Sequence, residues 1–445
     1  MWIVVFAASF IGGAYKIKVF FDLYWQFPVV MSLSVDQKLY LQFPAISVCN
    51  LNRKMREDDL RTGEATRSPL MYSELTSSQF CRQDQNGTKI RNKKNDEVLE
   101  FLMKYYEMDK ETRFQTGIDP AKFIIKCSFA GRTCSPRQLT YFDSFRYGNC
   151  ITFNKKLHGV ETLHVMSVGI GSGLFMKIGI ISSRYLDTTH TRGIKVVIHE
   201  PNAIPSPEEE GFILSPGYET LISLKQTVVR RLPYPYKDEC IDYEDQGKDS
   251  LKSRNNCIRS CIQKQNFEQC GCIDKSLGVM TDLKQCNVTD DTDACCLDRV
   301  LDYMSSSGPA CNCPLSCKSV YYNGEISRAL IKIQKYKPFY PKGIIPGAPG
   351  ISPEEVAKLR MPRWEDKKFV RREFLRLNIF YSSLERQVYE QQPKFEESEL
   401  FSYMGNEFGL WLGISLMTFF EVLEKLTSFV KYIIFIVPSP RNWWH

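Results

Sequence analysis

Histidine is scarce. Five residues are spread over 445, so the sixteen cysteines have few imidazole partners with which to build a zinc site. Enzyme signatures are missing too. No GxSxG, HExxH or P-loop occurs, and GIGSG at 169–173 falls short of the dinucleotide fingerprint and reads as a turn. No enzyme and no cofactor or metal is expected. The net charge of +7 is modest and spread out, without the dense basic face of a nucleic-acid binder. Heptad arrays and internal repeats are absent as well.

What is there is cysteine. Ten of the sixteen fall between Cys257 and Cys317. An even count at this density points to an oxidised, disulfide-held extracellular region. Two sequons, Asn86-Gly-Thr and Asn287-Val-Thr, are glycan acceptors where the secretory lumen sees them.

Both ends are apolar. The opening MWIVVFAASFIGGAYKIKVFF has the small residues of a signal peptide, but no basic segment precedes it. Aromatic character continues through Phe20, Phe21, Tyr24 and Trp25, as in an interfacial belt. The reading is a first membrane helix over 1–24, its cytoplasmic lead-in lying outside the sequence. A second span is expected over 401–437, with the apolar run starting at Gly405 and a cytoplasmic end at 438–445. That run is longer than one crossing needs, so it tilts, breaks or extends past the membrane. Gly405, Gly409 and Gly413 recur every four residues and put three bare positions on one helical face. Glu421 and Glu424, at i,i+3, share a face, and a carboxylate facing lipid costs a few kcal/mol. Two readings stand: a single-span anchor packed through its glycines, or a pore lined by acids where symmetric copies meet. Either way the polar stretch 25–400 lies on one side of the bilayer, the outside.

Within that stretch LQFPAISVCNL (41–51), GIKVVIHE (193–200) and LRLNIFYSSLERQVYEQ (375–391) look like strands of one sheet joined by long connections. Residues 52–126 look like a helical insertion, with one amphipathic helix over 95–114. CIRSC (257–261) places two cysteines at i,i+4 on one helix face, able to staple to a neighbouring strand. The Pro/Gly-rich 342–353 is a loop.

FPAISVCN (43–50), YGNCITFN (147–154), GIKVVIH (193–199), CNCPLSC (311–317), LNIFY (377–381) and GLWLGIS (409–415) together resemble the degenerin/epithelial sodium channel family over nearly the whole chain. The resemblance implies an α+β membrane protein. It would be a homotrimer in the lipid bilayer, two transmembrane helices per subunit, sodium-selective and blocked by amiloride. The ectodomain would have palm, knuckle, finger (52–126), thumb (237–317) and β-ball. It assigns the selectivity region to Gly413, Ile414 and Ser415, with Ile414 departing from the small residue of many relatives. It places Glu421 and Glu424 at the inner pore, Ser402 at the position where bulky substitutions hold degenerins open, and Phe27 with Tyr236 at the wrist. It also implies the pairs Cys49–Cys150, Cys127–Cys134, Cys240–Cys317, Cys257–Cys313, Cys261–Cys311, Cys270–Cys296 and Cys272–Cys286. Cys81 and Cys295 are extra relative to acid-sensing members and are expected to pair, tying finger to thumb.

The trigger has several candidates. Val29, Asn202 and Ala203 stand where acid-sensing members carry a histidine and an acidic pair, although Asp298 and Asp302 match their thumb acids. GLWLGISLMTFFEV and the extra cysteines look most like the invertebrate FMRFamide-gated channels. That peptide brings two aromatic rings and cationic groups, so its pocket needs aromatic walls and carboxylates. Phe101, Tyr105, Tyr106, Glu107 and Asp109 are the candidates. A constitutive, proton-gated or mechanically gated channel subunit and a non-conducting receptor or adhesion protein are the alternatives.

Overall fold

The structure, a computed structural model, describes residues 1–53, 81–83, 89–91, 96–119, 123–180, 185, 191–243, 253–280, 282–306, 311–332 and 374–436. Asn86, the loop at 342–353 and the tail 438–445 lie outside the described residues.

The chain begins with α1 (Trp2–Tyr24), β1 (Val29–Gln37), β2 (Leu41–Gln42), β3 (Ala45–Asn50), β4 (Cys81–Gln83) and β5 (Lys89–Arg91). Then come α2 (Asp96–Glu107), α3 (Lys110–Thr116), β6 (Ile124–Phe129), β7 (Arg132–Thr133), β8 (Leu139–Ser144), β9 (Gly148–Phe153) and β10 (His164–Val165). The sequence continues with β11 (Leu174–Gly179), β12 (Ile194–His199), β13 (Phe212–Leu214), β14 (Tyr218–Arg230), α4 (Arg254–Cys270) and α5 (Asp291–Ser306). It closes with β15 (Lys318–Leu330), β16 (Phe374–Pro393), α6 (Glu397–Leu412) and α7 (Leu416–Ile436).

Two compact units result. The first comprises Met1–Ser32, Arg230–Cys240 and Glu390–His445; the second comprises Leu33–Val229 and Ile241–Tyr389.

The second unit is built on two large sheets rather than the one expected, with two two-stranded pairs besides. Seven strands include the order β15-β14-β16-β11-β6-β7, with β1 also pairing β16; five follow β13-β12-β3-β9-β8. The split starts at Phe43-Pro44. Proline cannot donate to a ladder, so the strand breaks there. β2 pairs with β10, while β3 is buried throughout and enters the five-stranded sheet between β12 and β9. Phe43, fully buried, packs edge-on against Phe129 at 5.0 Å and Tyr381 at 6.2 Å, and the Tyr381 hydroxyl donates to the Gln42 carbonyl at 2.9 Å. These rings join a core cluster drawn from strands of both sheets, including Ile46, Phe153, Met176 and Leu377.

The insertion is not purely helical: it carries the β4–β5 hairpin as well as helices. Its expected single helix is two. Asp109 stops α2 from continuing by capping α3, accepting from the Glu111 and Thr112 amides at 3.1 Å each. Arg113 anchors α3 through the Asp143 carboxylate at 3.0 Å, with its guanidinium over the Phe145 ring at 4.7 Å.

All sixteen cysteines are disulfide-bonded. Cys49–Cys150 joins β3 to β9, and Cys127–Cys134 closes a short turn. Cys257–Cys313 and Cys261–Cys311 staple one face of α4, though to a segment with no strand structure. Cys270–Cys296 links α4 to α5, Cys272–Cys286 closes the loop between them, and Cys81–Cys295 ties β4 to α5.

In the first unit α1 packs on α6. A Cβ on Gly12 would lie 2.7 Å from the Trp411 ring, and one on Gly13 would lie 3.2 Å from Trp411 Cβ. Two adjacent glycines thus form the seat for a tryptophan, the close approach that small residues permit between apolar helices. Farther along, Phe20 stacks on Tyr403 at 3.9 Å and meets Phe395 edge-on at 5.2 Å. Among the described helices α1 alone is long and apolar enough to cross a membrane.

Candidate functional site

The apolar run at the C-terminal end is not one helix. It breaks at Gly413, Ile414 and Ser415, and the residues themselves explain the break. Gly413 adopts a left-handed conformation (φ 65°, ψ 18°) that side chains disfavour, and its amide closes α6 by donating to the Gly409 carbonyl at 3.0 Å. Ser415 then opens α7. Its carbonyl accepts the Phe419 amide at 3.0 Å, and its hydroxyl accepts the Thr418 amide at 3.2 Å. A helix stop and a helix start therefore sit two residues apart. Ile414, between them, is exposed in the single chain, as are Gly413 and Ser415.

About two turns beyond the break, Glu421 and Glu424 lie exposed on α7, and Ser402 is exposed on α6. Gly405 and Gly413 have nothing within 4 Å of a built Cβ, and Gly409 meets only the Ile414 carbonyl at 4.0 Å. Among the described residues, that glycine face has no packing partner. The glycines that do pack, Gly12 and Gly13, carry no signal in the sequence beyond their adjacency.

Phe27 and Tyr236 are brought together, ring centroids 5.8 Å apart and nearly perpendicular. Phe27 sits at a positive φ of 46°, a costly conformation for an aromatic residue, and its amide donates to the Tyr24 carbonyl at 3.0 Å. Trp25 meets its ring edge-on at 5.9 Å. The 230–240 segment is held to the end of β16: Gln391 accepts the Leu232 amide at 3.0 Å and donates to Asp238 at 2.5 Å.

The five residues expected to bind a peptide do not form a wall. Tyr105 and Tyr106 are buried, and burial raises both hydroxyls' pKa values, Tyr106 to about 12. Tyr105 lies between Phe101 at 6.1 Å and the Arg53 guanidinium at 5.5 Å, and Tyr106 packs on Phe145. They are core, because the apolar face of α2 is the face that docks. Asp109 is committed to its cap. Phe101 is half-buried, and Glu107 alone of the five is both exposed and beside a concavity.

That concavity is an open groove of about 650 Å³. One wall is the outer side of α2, with Glu100, Met103, Lys104 and Glu107. The other is Lys275, Gln285, Asn287 and Thr289, from the loop between α4 and α5. Lys275 Nζ donates to the Tyr106 carbonyl at 3.0 Å and holds the walls together at the base. The groove fell outside the sequence reading because its second wall is some 170 residues away, in the cysteine-rich loop. Asp298, expected from the resemblance to match a thumb acid, is buried and accepts the Cys81 amide at 2.6 Å.

The profile described as "Amiloride-sensitive sodium channel" matches residues 1–424. A human "Bile acid-sensitive ion channel" is 26% identical over 99% of this chain and 85% of its own. A chicken "Acid-sensing ion channel 1" is 26% identical over 96% of this chain and 79% of its own. An "FMRFamide-activated amiloride-sensitive sodium channel" from Cornu aspersum is 22% identical over 97% of this chain and 79% of its own. A match that runs from the first helix through the disulfide-bonded unit and past the Gly413–Ser415 break leaves one conclusion: this protein belongs to the amiloride-sensitive sodium channel family.

Proposed function

We propose that the chain is the subunit of a homotrimeric, sodium-selective, amiloride-blocked channel of the plasma membrane, opened by an FMRFamide-type neuropeptide. The observation that carries the pore assignment is the Gly413-Ile414-Ser415 break. It exposes backbone carbonyls midway along an apolar run, which is tolerated only where the backbone lines water or protein. In this reading α6 and α7 form one interrupted membrane crossing. Three copies of the break surround the axis, and three Glu421 and three Glu424 side chains concentrate cations on its inner side.

The groove supports a peptide as trigger. Its volume lies in the range of small-ligand sites. Glu100 and Glu107 can receive cationic groups, and Met103 offers a soft apolar floor for a ring. A peptide seated there draws α2 against the disulfide-bound α4–α5 pair. The movement passes along β1, β14 and β16, whose chains continue into the unit holding Phe27, Tyr236 and the helices. Opening follows only if the peptide binds the open state more tightly. Gating by acid or bile acid is the second reading, favoured by relatives of those names at 26% identity against 22%.

Two sets of variants test the proposal. Glu421→Gln should lower sodium current without altering the peptide's half-maximal concentration. Glu100→Gln and Glu107→Gln should each raise that concentration about tenfold, one charge-assisted contact of about 1.4 kcal/mol, at unchanged maximal current. Unchanged peptide sensitivity in both groove variants would remove the groove from the account.

A further inference from the structure

The wall of the groove opposite α2 contains a complete sequon. Asn287 is exposed and Thr289 half-exposed, and both line the cavity, while Val288 between them is buried at 6% exposure. The alternation fixes which way the asparagine points. Its backbone is fixed as well. The Asn287 amide donates to Asp293 Oδ2 at 2.8 Å, and its neighbour Cys286 is bonded to Cys272. The side-chain oxygen accepts the Thr289 amide at 3.1 Å and the Thr289 hydroxyl at 2.5 Å, leaving the nitrogen as the atom to be modified.

We propose that Asn287 carries an N-linked glycan whose first sugars lie in the groove against α2 and cover it, so that the groove is lidded by the protein's own carbohydrate. The facing surface suits an N-acetylglucosamine core. Glu100 and Glu107 accept from hydroxyls, Lys104 and Gln285 donate to them, and Met103 meets the apolar face of a sugar ring or its acetyl methyl. Family membership places this unit outside the membrane, in the compartment where glycans are added. Anything that binds the groove then competes with, or packs upon, the sugar. The regulatory consequence rests on the peptide reading above: removing the glycan lowers the half-maximal peptide concentration. The lid itself does not depend on that reading.

The test is therefore made without gating. Lys104 has a built-in control in Lys264. Their side chains are 68% and 71% exposed, and each pairs with a glutamate four residues away on its helix. Glycopeptide mass spectrometry of the full chain from a secretory-competent cell should find Asn287 occupied. Amine labelling of the intact protein, with Lys264 as the internal reference, should then modify Lys104 at least about threefold more slowly than in Thr289→Ala, while Thr289→Ser, which keeps the sequon, should label like the parent. An unoccupied Asn287, or a Lys104 rate that is the same with and without the sugar, overturns the proposal. Failure of the peptide to gate the channel would leave these two measurements, and the lid, unaffected.

Discussion

Replacing Gly413 with alanine separates an encoded break from an incidental one. Gly413 holds a φ of 65° with nothing within 4 Å of where a Cβ would stand, so the cost of alanine is conformational and not steric. Left-handed backbone costs an L-residue about 1–2 kcal/mol. In a continuous helix alanine is better than glycine by about 1 kcal/mol. Both effects favour closing the break, and together they move the balance by about 2–3 kcal/mol, or roughly 30- to 150-fold. Asparagine tolerates the left-handed region and is a poor helix former, so Gly413→Asn should keep the break. The assay is whole-cell current at matched surface expression, with the sodium-to-potassium permeability ratio read from reversal potentials. Gly413→Ala should lose most current or selectivity and Gly413→Asn should retain more. Equal behaviour of the two, or normal conduction by Gly413→Ala, would refute the argument that the backbone geometry at this position shapes the pore.

Three further outcomes are expected. Gly12→Ala places a Cβ 2.7 Å from the Trp411 ring and should destabilise assembly by about 1–3 kcal/mol in a detergent melting assay, with Trp411→Leu restoring it. Cys81→Ser, Cys295→Ser and the double variant should lower stability by the same amount, about 2–4 kcal/mol in denaturant titration, because either single change removes the whole 214-residue closure. His199 is buried against the Ser47 hydroxyl at 2.8 Å, and burial lowers its pKa from 6.5 to about 4. The unfolded chain takes up the proton first, so His199 leaves stability intact above pH 6.5 and erodes it as pH falls towards 4, by about 3 kcal/mol in all. His199→Gln should flatten that part of the stability–pH curve.

Local features were legible where one residue type decides the backbone. The β-branched run at 194–198 became a strand paired with β3 along its length and with β13 over its first half, whereas the strand read across 41–51 is split at Pro44, whose missing amide ends the ladder. Gly413 and Ser415 are a helix stop and start that a sequence displays, yet an apolar run reads as continuous until the two caps are seen as a pair. Long-range choices were less legible. The periodicity at Val98–Tyr106 identified an amphipathic helix but not what its apolar face meets, and Tyr105 and Tyr106 turned out to be core. The seat at Gly12 and Gly13 depends on Trp411, some 400 residues on, and the groove depends on the loop that bears Asn287. Such pairings are set by tertiary packing, which no local pattern encodes.

The central claim is that peptide binding opens a sodium pore made by this chain alone. The direct measurement is to express the subunit by itself in oocytes, clamp the voltage, and apply FMRFamide and then a pH 5 solution, each with and without amiloride. An inward sodium current evoked by the peptide, blocked by amiloride and not evoked by acid, is expected. Silence to the peptide with a current evoked by acid would contradict it.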